Sequence, residues 1–262
     1  MCWALKNSHA GNYRNFIRIS AWLCVSGVFW LWGALAETQT RYILWGIALL
    51  IEYLSPSLGF WTPGMGRSKS TDWNISGEHM AERCGLFIII ALGESLLVTG
   101  STFANGPHDP WFVAAFITAF AGTVAMWWIY FNVGADHAAE RIVHAEDPGR
   151  IARVAYTYLH VIIVAGIIVT AVSDEFVLAH PGGHTDGPTA FTVVLGPLLF
   201  LLGNLFFKRA VFQKWALSHL TGSALLLLVL PLFTLISPTE LSAIVVAILV
   251  MVGMWENFAV KR

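Results

Sequence analysis

Apolar residues fill the chain in long runs that are separated by short polar connections. Eight of these runs have about the 20 residues that a helix needs to cross the hydrocarbon of a bilayer. They lie at roughly 15–35, 42–60, 79–102, 111–133, 151–173, 189–207, 215–236 and 239–258. The pattern predicts an all-α polytopic membrane helix bundle of about eight transmembrane helices, forming a single integral-membrane domain over residues 1–262.

The overall composition supports this membrane assignment. Of the 262 residues, 56% are hydrophobic and 12% are charged, whereas a soluble domain has about 25% charged residues. The mean hydropathy is +0.66. No run of Lys and Arg is long enough to indicate nucleic acid as a partner. We therefore expect the lipid bilayer and an unknown ion or small solute as partners, and leave an oligomer open.

The cysteines and the acidic connections give no firm metal or cofactor signal. Cys2, Cys24 and Cys84 have no paired spacing, so neither a disulfide framework nor a thiolate zinc site is predicted, and we expect them to be small buried hydrophobes. The predicted connection after the fifth span contains several groups that a divalent metal could use. They are Asp174, Glu175, His180, His184 and Asp186. Their spacing matches no helical metal motif, so no metal and no cofactor are predicted.

Basic residues separate cleanly between alternate connections. One side holds Lys6, Arg14, Arg18, Arg67, Lys69, Arg141, Arg150, Arg153, Lys208, Arg209, Lys214, Lys261 and Arg262. The other side has Arg41 alone. Because Lys and Arg near span ends are retained in the cytoplasm, both termini should be cytoplasmic. A cleavable leader is the alternative for the first span, since Ala34-Leu35-Ala36 resembles a cleavage site, but the apolar run is longer than usual.

Several ionisable residues fall within the predicted spans. Glu52, Glu94 and His160 lie near mid-depth, and His219 lies about a turn inside the seventh span. Glu94 follows a long apolar run, and a charge at that depth is costly unless it has a partner. We therefore expect Glu94 to face the bundle interior, where Gly85, Gly93 and Gly100 would let another helix approach.

These residues allow a functional and a structural interpretation. Glu52 and Glu94 suit ion, proton or solute passage, or interhelical bonding, and His160 suits either role equally well. Glu82 and Arg83 at the entrance of the third span are more typical of interface anchors. His219 is also typical of an interhelical hydrogen-bond donor.

Three segments resemble a known family. They are HMAERCGLFIIIALGESLL (79–97), MWWIYFN (126–132) and YTYLHVIIVAGIIVTAV (156–172), followed by His180-Pro181. The chain resembles the bacterial low temperature requirement A family of multi-pass membrane proteins, which implies the bacterial cytoplasmic (inner) membrane. The positions that match the family's recurring residues are Glu82, Arg83, Gly85, Glu94, Trp128, Tyr130, Phe131, His160 and Gly166. The resemblance implies topology and membership but no mechanism.

The chain departs from the family pattern in two places. Nothing in residues 1–20 matches the acidic and aromatic motif, of the type ELFFDLVFVF, with which family members typically begin. The chain therefore looks like a short or N-terminally truncated member. Cys84 also stands where an aromatic residue is usual.

The leading functional hypothesis is a transporter or channel-like protein with a buried carboxylate/histidine site. The alternative is a membrane sensor or assembly scaffold in which the buried polar residues only pair helices. An intramembrane enzyme is least favoured, because Ser95 points about 100° away from Glu94 around the helix and lacks an evident histidine partner within reach on its own span. The chain is not expected to be an enzyme.

Overall fold

The part of the chain that the structure describes consists of helices and the turns between them. A computed structural model describes residues 10–68, 77–132 and 147–260. Its α-helices are α1 (Ala10–Leu35), α2 (Thr38–Ser57), α3 (Gly77–Ala104), α4 (Pro110–Phe131), α5 (Pro148–Ala152), α6 (His160–Ala179), α7 (Gly187–Phe212), α8 (Leu217–Val229) and α9 (Pro238–Val260). A π-helix, Arg153–Leu159, precedes α6, and a 3₁₀-helix, Leu230–Thr234, follows α8. These elements confirm the all-α prediction.

Seven helical segments in the described ranges are long and apolar enough to cross a membrane. They are Tyr13–Leu35, Gly77–Ala104, Pro110–Phe131, Gly149–Ala179, Gly187–Phe212, Leu217–Thr234 and Pro238–Phe258. The remaining predicted span, 42–60, corresponds to α2, which is a 20-residue helix but is not among the seven. Arg41 near its start and Glu52 within it make α2 more polar than the other helices.

The cytoplasmic orientation of both termini stays a prediction. Some of the basic residues that support it lie outside the described ranges. They are Lys6, Lys69, Arg141, Lys261 and Arg262. The single-domain assignment also stays a prediction, and the described residues group into two compact units. The first contains 10–68 and 147–153, and the second contains 77–132 and 154–260.

In the first unit, α1 and α2 pack as an antiparallel pair around tryptophans. The rings of Trp30 and Trp45 are 5.9 Å apart, and Trp45 Nε1 donates to the carbonyl oxygen of Trp30 at 3.2 Å. A Cβ at Gly33 would lie 2.6 Å from Trp45 Cδ1, so glycine makes room for the indole. Arg153 donates to the carbonyl oxygen of Pro56 at 2.8 Å and ties residues 147–153 to the end of α2.

In the second unit, the closest helix crossing is that of α6 with α7. A Cβ at Gly166 would lie 2.5 Å from the backbone nitrogen of Phe200, and a Cβ at Gly196 would lie 2.4 Å from Thr170 Oγ1. Gly203 is similarly crowded. Small residues therefore let the two backbones approach, as is typical of helices packed in lipid. The crossing holds α7 against the segment of α6 that carries His160.

Aspartates begin two of the spanning helices. Asp109 Oδ1 accepts a hydrogen bond from the backbone nitrogen of Trp111 at 2.9 Å at the start of α4. Asp186 Oδ1 accepts one from the backbone nitrogen of Thr189 at 3.0 Å at the start of α7. Hydrogen bonding from Thr189 holds the pKa of the Asp186 carboxyl below its usual range. Both residues satisfy amide groups that a helix start leaves unpaired.

The helices expose many large apolar residues, and their exposed surface also includes a cysteine that was expected to be buried. Cys24 is exposed and Cys84 is half-buried, while Cys2 lies outside the described residues. The expectation that the cysteines are buried is therefore wrong for Cys24. An apolar run does not imply burial in a membrane protein, because the lipid-facing surface is apolar as well.

Candidate functional site

The side chain of Glu94 lies on the outer surface of α3 and does not point into the helix bundle. The side of α3 that packs inward holds Gly77, Ala81, Gly85, Ile88, Leu92, Ser95 and Thr99. Glu94 is exposed, and its neighbours one turn away, Ile90 and Leu97, are 66% and 71% exposed. The expectation that Glu94 faces the interior is therefore wrong. Successive residues advance about 100° around a helix, so burying Ser95 turns Glu94 outward.

The glycines near Glu94 do not bring another helix close to it. A Cβ at Gly93 or Gly100 would meet no atom within 4 Å. Gly85 alone among the three predicted contact positions has a neighbour, with Phe131 Cε1 3.5 Å from a Cβ built there. The role of Glu94 in solute passage stays a prediction.

Two further candidates on α3 are also exposed. Glu82 and Arg83 both lie on the outer surface of the helix, one turn or more after its start at Gly77. This placement agrees with the interpretation of both residues as interface anchors.

Glu52 joins the two helices of the first unit. Its Oε1 accepts hydrogen bonds from Ser26 Oγ and Trp30 Nε1, each at 2.9 Å. The carboxylate is half-buried, and these two partners both come from α1. Glu52 therefore makes the interhelical bonds that its structural interpretation predicts.

His160 lies in a closed aromatic site in the second unit. Its Nδ1 is 2.8 Å from the carbonyl oxygen of Ala155, and its Nε2 is 2.8 Å from the Tyr130 hydroxyl. A carbonyl only accepts, so Nδ1 carries the proton and Tyr130 donates to Nε2. The imidazole stacks on Tyr156 at 5.2 Å and meets the edge of Phe207 at 5.2 Å. Both ring nitrogens are thus occupied.

A buried charged cluster, not predicted from the sequence as a cluster, lies on α7, α8 and α9. The Lys208 ammonium forms an ion pair with Glu256 Oε2. His219 Nδ1 and Ser218 Oγ each lie 3.1 Å from Glu256 Oε1. The side chains of Lys208, Glu256 and His219 are 12%, 7% and 0% exposed. We call these four residues, Lys208, Ser218, His219 and Glu256, the inner cluster.

The hydrogen bonds of the inner cluster determine which nitrogen of the neutral His219 ring carries the proton. Because the Glu256 carboxylate accepts at His219 Nδ1, that nitrogen carries the proton of the neutral ring. His219 Nε2 is buried and has no hydrogen-bond partner in the described part of the chain. Ser223 Oγ, one turn farther along α8, is buried and unpartnered in the same way. His219 was predicted as a site candidate, and it also makes the interhelical bond considered as its alternative.

Lys208 and Glu256 were missed for a specific reason. Lys208 follows the predicted span 189–207 and was assigned to the cytoplasmic basic residues, and Glu256 lies at the end of the predicted span 239–258. Opposite charges at the same end of two spans are a signal for an ion pair, because charges near lipid pair with each other. With His219 at the same end of a third span, that signal was present in the sequence.

Asp174 is a second buried carboxylate that the sequence analysis placed wrongly. It was assigned to the connection after the fifth span, but α6 continues to Ala179 and includes it. The side chain is buried and Oδ2 has no hydrogen-bond partner among the described residues. In the same ranges no group of three or more His, Cys, Asp or Glu is arranged to hold a metal ion. Asp186, another member of the predicted set, caps α7 instead.

The inner cluster has the chemistry of a proton site rather than of a nucleophile. Ser218 Oγ lies 3.2 Å from His219 Nδ1, the nitrogen that also faces Glu256. A Ser-His-carboxylate triad requires serine and carboxylate on opposite ring nitrogens, which is not the arrangement here. The cluster instead combines a fixed cation, a carboxylate with three donors and an imidazole with one open nitrogen.

Comparison with known proteins identifies the family. The family model for the bacterial low temperature requirement A protein (LtrA) matches residues 1–254. An uncharacterized protein of Rhizobium meliloti (strain 1021) is 39% identical over 263 residues, which covers 99% of this chain and 64% of the relative. The chain thus spans 64% of the length of that curated relative. No solved structure matches the chain. This multi-pass membrane protein belongs to the bacterial low temperature requirement A family.

Proposed function

We propose that the chain acts as a transporter or channel-like protein of the bacterial cytoplasmic membrane, and that the inner cluster is its buried carboxylate/histidine site. The observation that carries the proposal is the buried Lys208–Glu256 ion pair with His219 beside it. Charged groups within spanning helices are rare and costly, and they commonly mark paths for ions or protons. A small ionic solute or a proton is the cargo that suits such a site.

The position of the cluster supports access from the cytoplasm. Lys208 is near the end of α7, His219 near the start of α8 and Glu256 near the end of α9. In the orientation predicted from the basic residues, all three ends lie on the cytoplasmic side. The small exposed part of Lys208 gives the cluster a route to the surface. Lys208 is the most exposed of the three charged or titratable residues, and His219 is fully buried.

A membrane scaffold is the second candidate, and a specific observation favours it. The bonds of Glu256 join α9 to both α7 and α8, so the cluster also ties three helices together. A scaffold needs these bonds but needs no titrating group. Glutamine at position 256 would keep an acceptor for Ser218 and His219 while removing the charge, and therefore separates the two functions.

The test is ion flux into vesicles that contain the purified protein. Proton movement is followed with an enclosed pH-sensitive dye, and other small ions are exchanged one at a time, for the parent and for Glu256→Gln. Glu240→Gln is the matched control, because Glu240 lies at the opposite end of the same helix and bonds only to Ser237 among the contacts found. We expect flux in the parent and in Glu240→Gln, and the rate of empty vesicles in Glu256→Gln.

Two results would contradict this proposal in different ways. Flux in Glu256→Gln equal to that of the parent would remove the inner cluster from the transport path. A parent that moves no tested ion faster than empty vesicles would favour the scaffold. In that case Glu256→Gln should still reduce the stability of the folded protein, since Lys208 would lose its counter-charge.

A further inference from the structure

The three titratable groups of the inner cluster differ in their capacity for an additional proton. Glu256 Oε2 accepts from Lys208, and Oε1 accepts from Ser218 and from His219. Oε1 uses both of its lone pairs in these bonds, and a proton on Oε2 would neutralise the charge that holds the Lys208 ammonium. Lys208 has donors only. Proton uptake at Glu256 would therefore leave the buried Lys208 ammonium without its counter-charge.

His219 offers a free lone pair on one of its ring nitrogens. Its Nδ1–H points to Glu256, which leaves Nε2 unprotonated, and Nε2 is fully buried without a partner among the described residues. We infer that Nε2 of His219 is the atom at which this site takes up a proton, and that the coupled or transported ion is therefore a proton. This inference rests on the proposed transport function.

Proton uptake at His219 raises the charge of the site by one and breaks no covalent bond. A proton binds the Nε2 lone pair, the Nδ1–H bond to Glu256 is kept, and no covalent bond breaks. The site changes from one ammonium and one carboxylate to one ammonium, one carboxylate and one imidazolium. Glu256 on α9 stabilises the new charge, and Lys208 on α7 opposes it. The remaining titratable residues of α7, α8 and α9 that the structure describes do not bond to His219 in the contacts found.

Ser223 gives the proton a direction. Its hydroxyl lies one turn beyond His219 on the same face of α8, toward the middle of the span, and it too is buried and unpartnered. A hydroxyl both donates and accepts, so it can pass a proton along. The two open polar atoms therefore lie one turn apart on one face of α8, and Ser223 is the one farther from the helix end that carries the cluster.

The test uses the full-length protein labelled with ¹⁵N-histidine in lipid nanodiscs. The signal of His219 is assigned by its loss in His219→Gln. At about pH 8 we expect Nδ1 protonated and Nε2 bare, and on acidification below about pH 6.5, the ordinary imidazole value, we expect the Nε2 signal to move to the range of a protonated nitrogen. His160 is the internal control, because both its nitrogens are bonded and its Nε2 signal should not begin in the free range.

Two outcomes would overturn the inference. One is the opposite ring form at about pH 8, with Nε2 protonated. The other is an unchanged His219 signal on acidification while an infrared band of a protonated carboxyl appears and is absent in Glu256→Gln. Neither outcome depends on flux. Flux that requires Glu256 with a silent His219 would refute this inference alone, whereas a titrating His219 without any flux would refute the transport function alone.

Discussion

Removing Lys208 should be the most costly single change in the inner cluster. Lys208 and Glu256 are only 12% and 7% exposed, so solvent screens the pair weakly. Lys208→Met leaves the Glu256 carboxylate buried with neutral donors only. Breaking a buried ion pair by removing one partner costs about 3–5 kcal/mol. Because Ser218 and His219 still donate to Glu256, we expect the lower end, about 3 kcal/mol.

The opposite single change should cost less. In Glu256→Gln the amide oxygen keeps one acceptor for Ser218 and His219, and the long stem of Lys208 lets its ammonium move toward the membrane surface. We expect a loss of about 1–3 kcal/mol. The double variant removes both charges, so it should recover about 2 kcal/mol of the loss seen in Lys208→Met.

The assay is reversible unfolding in mixed micelles, followed by far- and near-ultraviolet circular dichroism so that two-state behaviour is checked. Lys214→Met is the control, because Lys214 is exposed and makes no hydrogen bond or ion pair with the described residues. Its free energy of unfolding should fall by no more than about 0.5 kcal/mol. A loss below about 1 kcal/mol for Lys208→Met would refute the reasoning. A double variant as unstable as Lys208→Met would refute it equally.

Three further substitutions, one of them with a matched control, test the packing and the other candidate residues. Gly166→Ala should cost about 1–3 kcal/mol of folding free energy, because its Cβ would lie 2.5 Å from a backbone nitrogen of α7. Gly93→Ala is the control and should cost nothing, because no atom lies within 4 Å of a Cβ built there. Equal losses in the two variants would contradict the α6–α7 crossing. Tyr130→Phe should cost about 1 kcal/mol and leave the His160 Nε2 signal in the free range, because it removes the hydrogen bond to that nitrogen; an unchanged ¹⁵N spectrum would contradict the assigned bond. Glu94→Gln should change the unfolding free energy by no more than about 0.5 kcal/mol, since Glu94 is exposed; a large loss in the same micelle assay would show that a partner covers it.

The helices could be predicted from the sequence because the bilayer leaves few alternatives. A backbone without water must satisfy its hydrogen bonds internally, so a long apolar run forms a helix. Seven of the eight predicted spans are helices of crossing length and composition. The remaining one, α2, is a helix in which Arg41 and Glu52 reduce the apolar character. Ser26 and Trp30 of α1 donate hydrogen bonds that stabilise the Glu52 carboxylate, and the local sequence does not predict these contacts.

The direction that each helix faces was harder to predict. Large apolar residues such as Ile90 and Leu97 are exposed on α3, while small and polar residues such as Ser95 are buried. Hydrophobicity therefore does not distinguish the two sides of a helix in lipid, and the orientation of Glu94 could not be derived from it.

Charges at the same end of several predicted spans mark candidates for an ion pair, but the choice of partners requires the tertiary structure. Lys208 and Glu256 are 48 residues apart in the chain, and His160 and Tyr130 are 30 apart. Nothing in the local sequence pairs such positions. His160 and His219 were nevertheless identified as candidates, because an ionisable residue within a predicted span is informative by itself.

The most direct test of the proposed function is the decay of an imposed pH gradient across vesicles that contain the parent protein. Vesicles with the double variant His219→Gln/Glu256→Gln, reconstituted to the same protein content and checked for the same circular dichroism spectrum, are the comparison. We predict that the parent dissipates the gradient faster than the double variant, and that the double variant matches empty vesicles. Equal rates for the parent, the double variant and empty vesicles would contradict the claim that the inner cluster carries protons across the membrane.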